Sequence, residues 1–208
     1  MLTHIGLSEK VFIMSRFLLI FILTLSFQTL TKADDIIDFQ IEGMSVGESL
    51  LDYFSKSEIK NKKKPILAGG KYYYQYNKFN KDDDNKRYDR VVLFFKTNDK
   101  NYIIQAISGR NYYVSNINEC YDVQTDIVKQ IEMIMVDTKK IGPRSKKISS
   151  FPNGKSYKKE VGYLFKNNSF IRVVCYDYSK KDTNSRDRLS VQIATQEYNK
   201  WLASKDKK

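Results

Sequence analysis

The stretch Tyr157-Lys158-Lys159-Glu160-Val161-Gly162-Tyr163-Leu164-Phe165-Lys166-Asn167-Asn168-Ser169-Phe170-Ile171-Arg172-Val173-Val174-Cys175-Tyr176-Asp177-Tyr178 decides the fold class. It holds two strand-like runs, 157–165 and 169–178, and the Asn167-Asn168 pair between them tolerates the positive φ of a tight turn. Strands joined this way pair antiparallel. Just upstream, 118–136 carries helical periodicity. Cys120, Val123, Ile127, Ile131 and Ile134 form its apolar stripe, and Asp122, Asp126, Lys129 and Glu132 face away. An antiparallel sheet covered by helices, an α+β class, is the expectation.

Working outward, 90–97 and 102–107 read as a second hairpin across Asn98-Asp99-Lys100, with Gly109 marking a bulge or bend beyond it. The alternation of Tyr72, Tyr74 and Tyr76 predicts a strand before that hairpin, and 188–194 predicts the last one. Thr195 then caps a terminal helix whose Tyr198, Trp201 and Leu202 share a face. Near the other end, Ser45 and Glu48 have capping-box spacing, which predicts a helix over 46–54, with a further turn over 57–62. The expected order is α-βββ-α-βββ-α, about six strands with the helices on one face. No Pro-, Gly- or Ser-rich linker interrupts residues 34–208, so one mature domain is expected.

Residues 1–33 read as a secretory signal peptide. Arg16 precedes an apolar run over 17–25, and Thr31 and Ala33 place small residues before an expected cleavage at Asp34. The run is shorter than the roughly 20 residues that span a bilayer. Met14 is the better start, which leaves 1–13 as an overrun. Only an uncleaved signal would hold the chain in a membrane; the expected location is the periplasm or the exterior.

The 208 residues carry 36 basic and 24 acidic side chains, and residues 34–208 alone keep a net charge of +10. Lysine supplies 28 of the cations and arginine 8, alongside many Asn, Ile and Tyr, a mixture that A/T-rich codons produce. Basic charge suits acidic partners; with export expected, these are an acidic envelope polymer or protein, and no nucleic acid.

The lone histidine is His4, inside the segment to be removed. That excludes histidine-dependent triads, histidine-ligated zinc and imidazole proton transfer from the mature chain. Two cysteines cannot build a four-thiolate zinc site. No metal and no cofactor is expected, and no catalytic residue is assigned. Cys120 and Cys175 are expected to form a disulfide in an oxidising compartment. Gly69-Gly70-Lys71 lacks the spacing of a phosphate-binding loop and reads as a turn, and Asp82-Asp83-Asp84 lacks the glycine and glutamate of an EF-hand and reads as a solvated loop. The sharpest patch is the run after the long helix, where Lys139, Lys140, Arg144, Lys146 and Lys147 stand without an acid. It reads as a solvated loop favouring the helix C-terminus, and it is the candidate anion-contact surface.

Four segments carry a resemblance: Ile41 to Phe54 (IEGMSVGESLLDYF), Ile117 to Tyr121 (INECY), Cys175 to Ser179 (CYDYS), and Trp201-Leu202. In that order they resemble a group of small exported proteins of marine alphaproteobacteria whose function is not known. The resemblance implies pairing of the two cysteines and supplies no activity. From the residues, the expectation is a non-enzymatic envelope-binding domain with affinity for anionic partners. The alternatives are a carboxylate-based glycan hydrolase, which needs two acids facing across a cleft, and a small inhibitor or immunity-type protein, which needs an apolar or strongly charged sheet face.

Overall fold

Strand-forming segments rich in Val, Ile, Phe and Tyr assemble into one eight-stranded antiparallel sheet of order β1-β2-β3-β4-β8-β7-β6-β5. The computed structural model describes residues 35–66, 73–79, 87–113, 116–148, 150–151 and 153–205. The expected signal segment, Gly69-Gly70-Lys71 and Asp82-Asp83-Asp84 lie outside the described residues. The strands are β1 (Lys64–Pro65), β2 (Tyr73–Phe79), β3 (Arg90–Lys96), β4 (Ile104–Tyr113), β5 (Lys139–Lys147), β6 (Tyr157–Leu164), β7 (Phe170–Asp177) and β8 (Asp187–Ala194). The helices are α1 (Lys56–Lys62), α2 (Ile117–Ile134) and α3 (Gln196–Lys205). The α+β class and the antiparallel sheet are therefore as the sequence indicates, with two more strands than the six expected.

Both additions are edge strands. One is the two-residue β1, and the other is β5, which occupies the run expected to be a loop. β5 pairs with β6 along its length despite having no apolar alternation, and all its residues but Ile141 are exposed. Lysines and Pro143 on an edge discourage pairing with further strands. The same residues that read as a solvated loop therefore serve as an edge.

Side chains alternate cleanly across the sheet. Val91, Leu93, Ile107, Val161, Ile171, Val173, Leu189 and Ile193 point to one face, where the larger core forms under α2 and the 36–59 segment. The even-numbered Val92, Phe94, Ala106, Phe170 and Ala194 point to the other, where α3 folds back and packs Tyr198, Trp201 and Leu202 over them. The helices thus occupy both faces, contrary to the single covered face expected, because α3 follows β8 directly and its apolar side meets the even-numbered residues.

Cys120 in the first turn of α2 and Cys175 on β7 form a disulfide with α-carbons 6.0 Å apart, both fully buried. The bond pins the helix to the sheet as expected. The helix presents a somewhat different stripe. Val123 is exposed, and buried Gln124 points inward, where its amide donates to the carbonyls of Lys159 and Val173.

The expected helix over 46–54 is replaced by turns and a short 3-10 segment, Leu50–Asp52. Glu48 does accept the Ser45 N–H at 2.7 Å, but the Ser45 hydroxyl donates to the carbonyls of Ile37 and Phe39 and so is lost to the cap. Gly47, at φ 91°, turns its N–H to the Ile104 carbonyl. The working capping boxes are at Asp35 with Asp38, Ser49 with Asp52 and Ser55 with Glu58. Gly109 makes no bulge either; β4 runs straight through it, and the register shift in this hairpin falls at Phe94/Phe95. A side chain at Gly109 would meet the Tyr88 ring at 2.8 Å, so the glycine makes room for that ring.

Candidate anion-binding site

Strand pairing brings distant cations onto the face that α3 covers only at one end. Arg90 of β3 stands opposite Arg110 of β4, and Arg110 opposite Ser190 of β8. One step along the strands, Tyr112 stands opposite Arg188, Arg188 opposite Tyr176, Tyr176 opposite Lys158, and Lys158 opposite Lys146. With neighbouring strands about 4.8 Å apart, this second row is a band roughly 19 Å long in which aromatic and cationic side chains alternate before ending in two lysines.

Neutral side chains are among the partners that hold these arginines. Arg90 donates to the Asn77 side-chain oxygen through Nε at 3.0 Å and also through Nη2, and its Nη1 donates to the Tyr112 hydroxyl at 3.4 Å. Arg110 donates through Nε to the Ser108 hydroxyl at 3.3 Å, and Ser108 shares a hydrogen bond with Ser190. The Arg188 guanidinium lies over the rings of Tyr176 and Tyr178, 4.5 and 5.5 Å from their centroids, and those two rings stack with planes 7° apart. Arg186 lies over Tyr112 in the same way, at 5.0 Å. Such stacking uses the flat face of a guanidinium and leaves its donor edge available.

Burial and the like charges of Arg188 and Arg90 pull the Arg110 guanidinium down to about 10. Further across the face stands Glu160, whose side chain is 3% exposed; it accepts from Arg144 Nε and lies 3.0 Å from Lys158 Nζ. Burial pushes its carboxyl up, but Lys158 and Arg144 together hold it below the usual value. Glu160 is thus already paired with two cations.

The five cations singled out in sequence, Lys139, Lys140, Arg144, Lys146 and Lys147, are divided by the strand they form. Lys139, Arg144 and Lys146 pair with residues on the arginine face, and Lys140 and Lys147 with residues on the other. Lys140 binds Glu132 at 2.5 Å, and Arg144 is engaged with Glu160. Arg90, Arg110 and Arg188 went unread because 98 residues separate the first from the last. A usable signal was present: arginine at alternating positions of apolar strands, in a chain whose ordinary cation is lysine.

A shallow pocket of about 110 Å³ lies beside this face, lined by Ile141, Arg144, Glu160, Leu164, Arg172 and Asn199 among others. Glu160 is the one carboxylate lining it, so the pocket holds no facing acid pair. Among the described residues no group of three His, Cys, Asp or Glu side chains is placed to hold a metal ion, and no helix is long and apolar enough to cross a membrane. No protein-family model, curated protein or solved structure matches the chain.

Proposed function

We propose that the chain is an exported, non-enzymatic binding domain that engages an anionic polymer of the cell envelope through the arginine–tyrosine face of its sheet. One observation carries the reading: Arg110 and Arg188 stand together on a half-buried face, Arg110 held by the Ser108 hydroxyl and Arg188 by the Tyr176 and Tyr178 rings, and each raises the cost of the other's charge. Gathering like charges costs folding energy, and an anion offsets that cost on binding. The buried disulfide accords with an oxidising compartment.

The test is retention on immobilised alginate and polyphosphate as salt is raised. Wild type should elute late, and at lower salt once Arg110 and Arg188 are both changed to Gln. Replacing Lys139, Lys140, Arg144, Lys146 and Lys147 with Gln should matter less, because Lys140 and Arg144 already have acids as partners. Equal elution of wild type and the double variant would overturn the reading. A strongly charged sheet face also suits the inhibitor-type alternative, in which it covers an acidic protein. That reading takes precedence if neither polymer is retained and an acidic protein partner is.

A further inference from the structure

Glycine inside a strand weakens it, and it often marks a bulge or a place where something approaches closely. Gly109 has such a reason in the Tyr88 ring, but Gly162 of β6 has none of that kind. Its φ is not positive, and its pairing with Arg172 of β7 is unbroken. The irregularity in the β5–β6 pairing lies on β5, between Ile141 and Arg144. Among the described residues, a side chain at Gly162 would meet the Ile171 carbonyl at 3.6 Å and the Ile141 Cβ at 3.9 Å, both ordinary contacts. What the glycine keeps open is the floor of the shallow pocket of about 110 Å³. We propose that this pocket binds a short-chain monocarboxylate, a small-molecule site that does not rest on the polymer-binding reading.

Charge and shape select that class. Arg144 and Arg172 line the pocket together with Glu160. Arg144 donates through Nε to Glu160, so those two charges offset each other. Arg172 donates through Nη2 to the Gln192 side-chain oxygen at 3.1 Å and lies over the Phe170 ring, 4.9 Å from its centroid. Neither of these partners is charged, which leaves the lining with one positive charge in excess. A carboxylate matches that charge, and its two oxygens suit a guanidinium fork. A dianion would bring its second charge against Glu160, which Lys158 and Arg144 hold ionised. Along β6 the same-face neighbours of Gly162 are Glu160 on one side and Leu164, paired with Phe170, on the other. The pocket is thus charged at one end and apolar at the other, so the ligand carries a hydrocarbon tail behind its carboxylate. A volume of about 110 Å³, against the roughly 150 Å³ of a cavity that holds benzene, suits about four to six non-hydrogen atoms.

The experiment is ligand-observed NMR and thermal melting of the disulfide-bonded protein at neutral pH. The probes are acetate, propionate, butyrate and n-butylamine. Affinity should rise roughly fourfold per methylene from acetate to butyrate. Butylamine, with a similar tail and the opposite charge, should not bind. Gly162→Ala should melt at or above wild type, since alanine suits a strand better than glycine, while binding butyrate several-fold more weakly. Gly162→Val fills the hollow further and should abolish binding. Arg172→Gln should weaken butyrate at least tenfold. Equal binding of butyrate and butylamine, affinity that does not change with chain length, or full butyrate affinity in folded Gly162→Ala or in Arg172→Gln overturns the site. Retention on polyanions without butyrate binding removes the pocket site and leaves the polymer-binding function standing. Butyrate binding without polyanion retention supports the pocket and removes the polymer reading.

Discussion

Changing Arg110 to Met should make the free protein more stable and a poorer binder. A guanidinium pulled down from its ordinary value to about 10 has lost on the order of 3 kcal/mol of preference for its charged form. The unfolded chain keeps the ordinary value, so at neutral pH the whole penalty counts against folding. The sign follows from proton binding: from about pH 10 up to the ordinary guanidinium value the unfolded state holds more protons, and stability should rise with pH across that window. Methionine keeps the apolar stem and drops the charge. It also loses the bond to Ser108, worth about 1 kcal/mol, although the Ser108–Ser190 pair stays satisfied. The net gain is about 1–2 kcal/mol, which for a domain of this size is a rise of roughly 2–8 °C in melting temperature. Calorimetric melting of both proteins, with and without polyphosphate, measures it. Wild type should gain stability from polyphosphate and the variant should not. A variant that melts lower than wild type in polyphosphate-free buffer would refute the like-charge argument.

Replacing Cys120 and Cys175 together with Ala should cost about 4 kcal/mol in urea unfolding, the loop-closure value for a separation of 55 residues; a loss below about 1 kcal/mol would show that the bond does not constrain the unfolded chain. Glu160→Gln should cost on the order of 2 kcal/mol at neutral pH by leaving Lys158 and Arg144 without their acid. Because the Glu160 carboxyl is held low in the folded state, its contribution is full above the unfolded carboxylate value and fades as pH falls through the folded one. An acid series of melting temperatures should therefore fall less steeply for the variant than for wild type. Gly109→Ala should destabilise by about 1–3 kcal/mol because its methyl meets the Tyr88 ring; a neutral result by denaturant titration would mean the ring moves aside freely.

What could be read from the sequence depended on where tertiary structure agreed with local pattern. The hairpins β3–β4 and β6–β7, the long α2 and the disulfide were legible because alternation, turn chemistry and periodicity all pointed the same way. Asn168 at φ 61° sits in the turn that the Asn pair announced. Three features escaped for stated reasons. β5 has no apolar face, so only its pairing with β6 defines it as a strand. The 46–54 helix lost its Ser45 cap to the carbonyls of Ile37 and Phe39, a contact no local pattern reports. The arginine site was hidden for a different reason, since its members become neighbours only through the β3–β4–β8 order. The basic run singled out in sequence, 139–147, is one that the edge strand divides between two faces.

The distribution of arginine separates function from composition. The chain uses 28 lysines and 8 arginines, the usage that A/T-rich codons favour, and lysine on an exposed edge such as β5 discourages further strand pairing. That usage does not account for where the arginines stand. Of the seven among the described residues, Arg90, Arg110, Arg144, Arg172 and Arg188 project from one face of the sheet by register, and Arg186 lies over Tyr112 on that face. Arg144 and Arg172 have acid or amide partners in Glu160 and Gln192. Arg110 and Arg188 are held by the Ser108 hydroxyl and by the Tyr176 and Tyr178 rings, and lysine in their place could have lost its proton on burial at little cost. Arginine keeps its charge, so the repulsion persists at every physiological pH. On the proposed reading, an anion bound beside Arg110 and Arg188 would offset the cost that burial and like charge impose there.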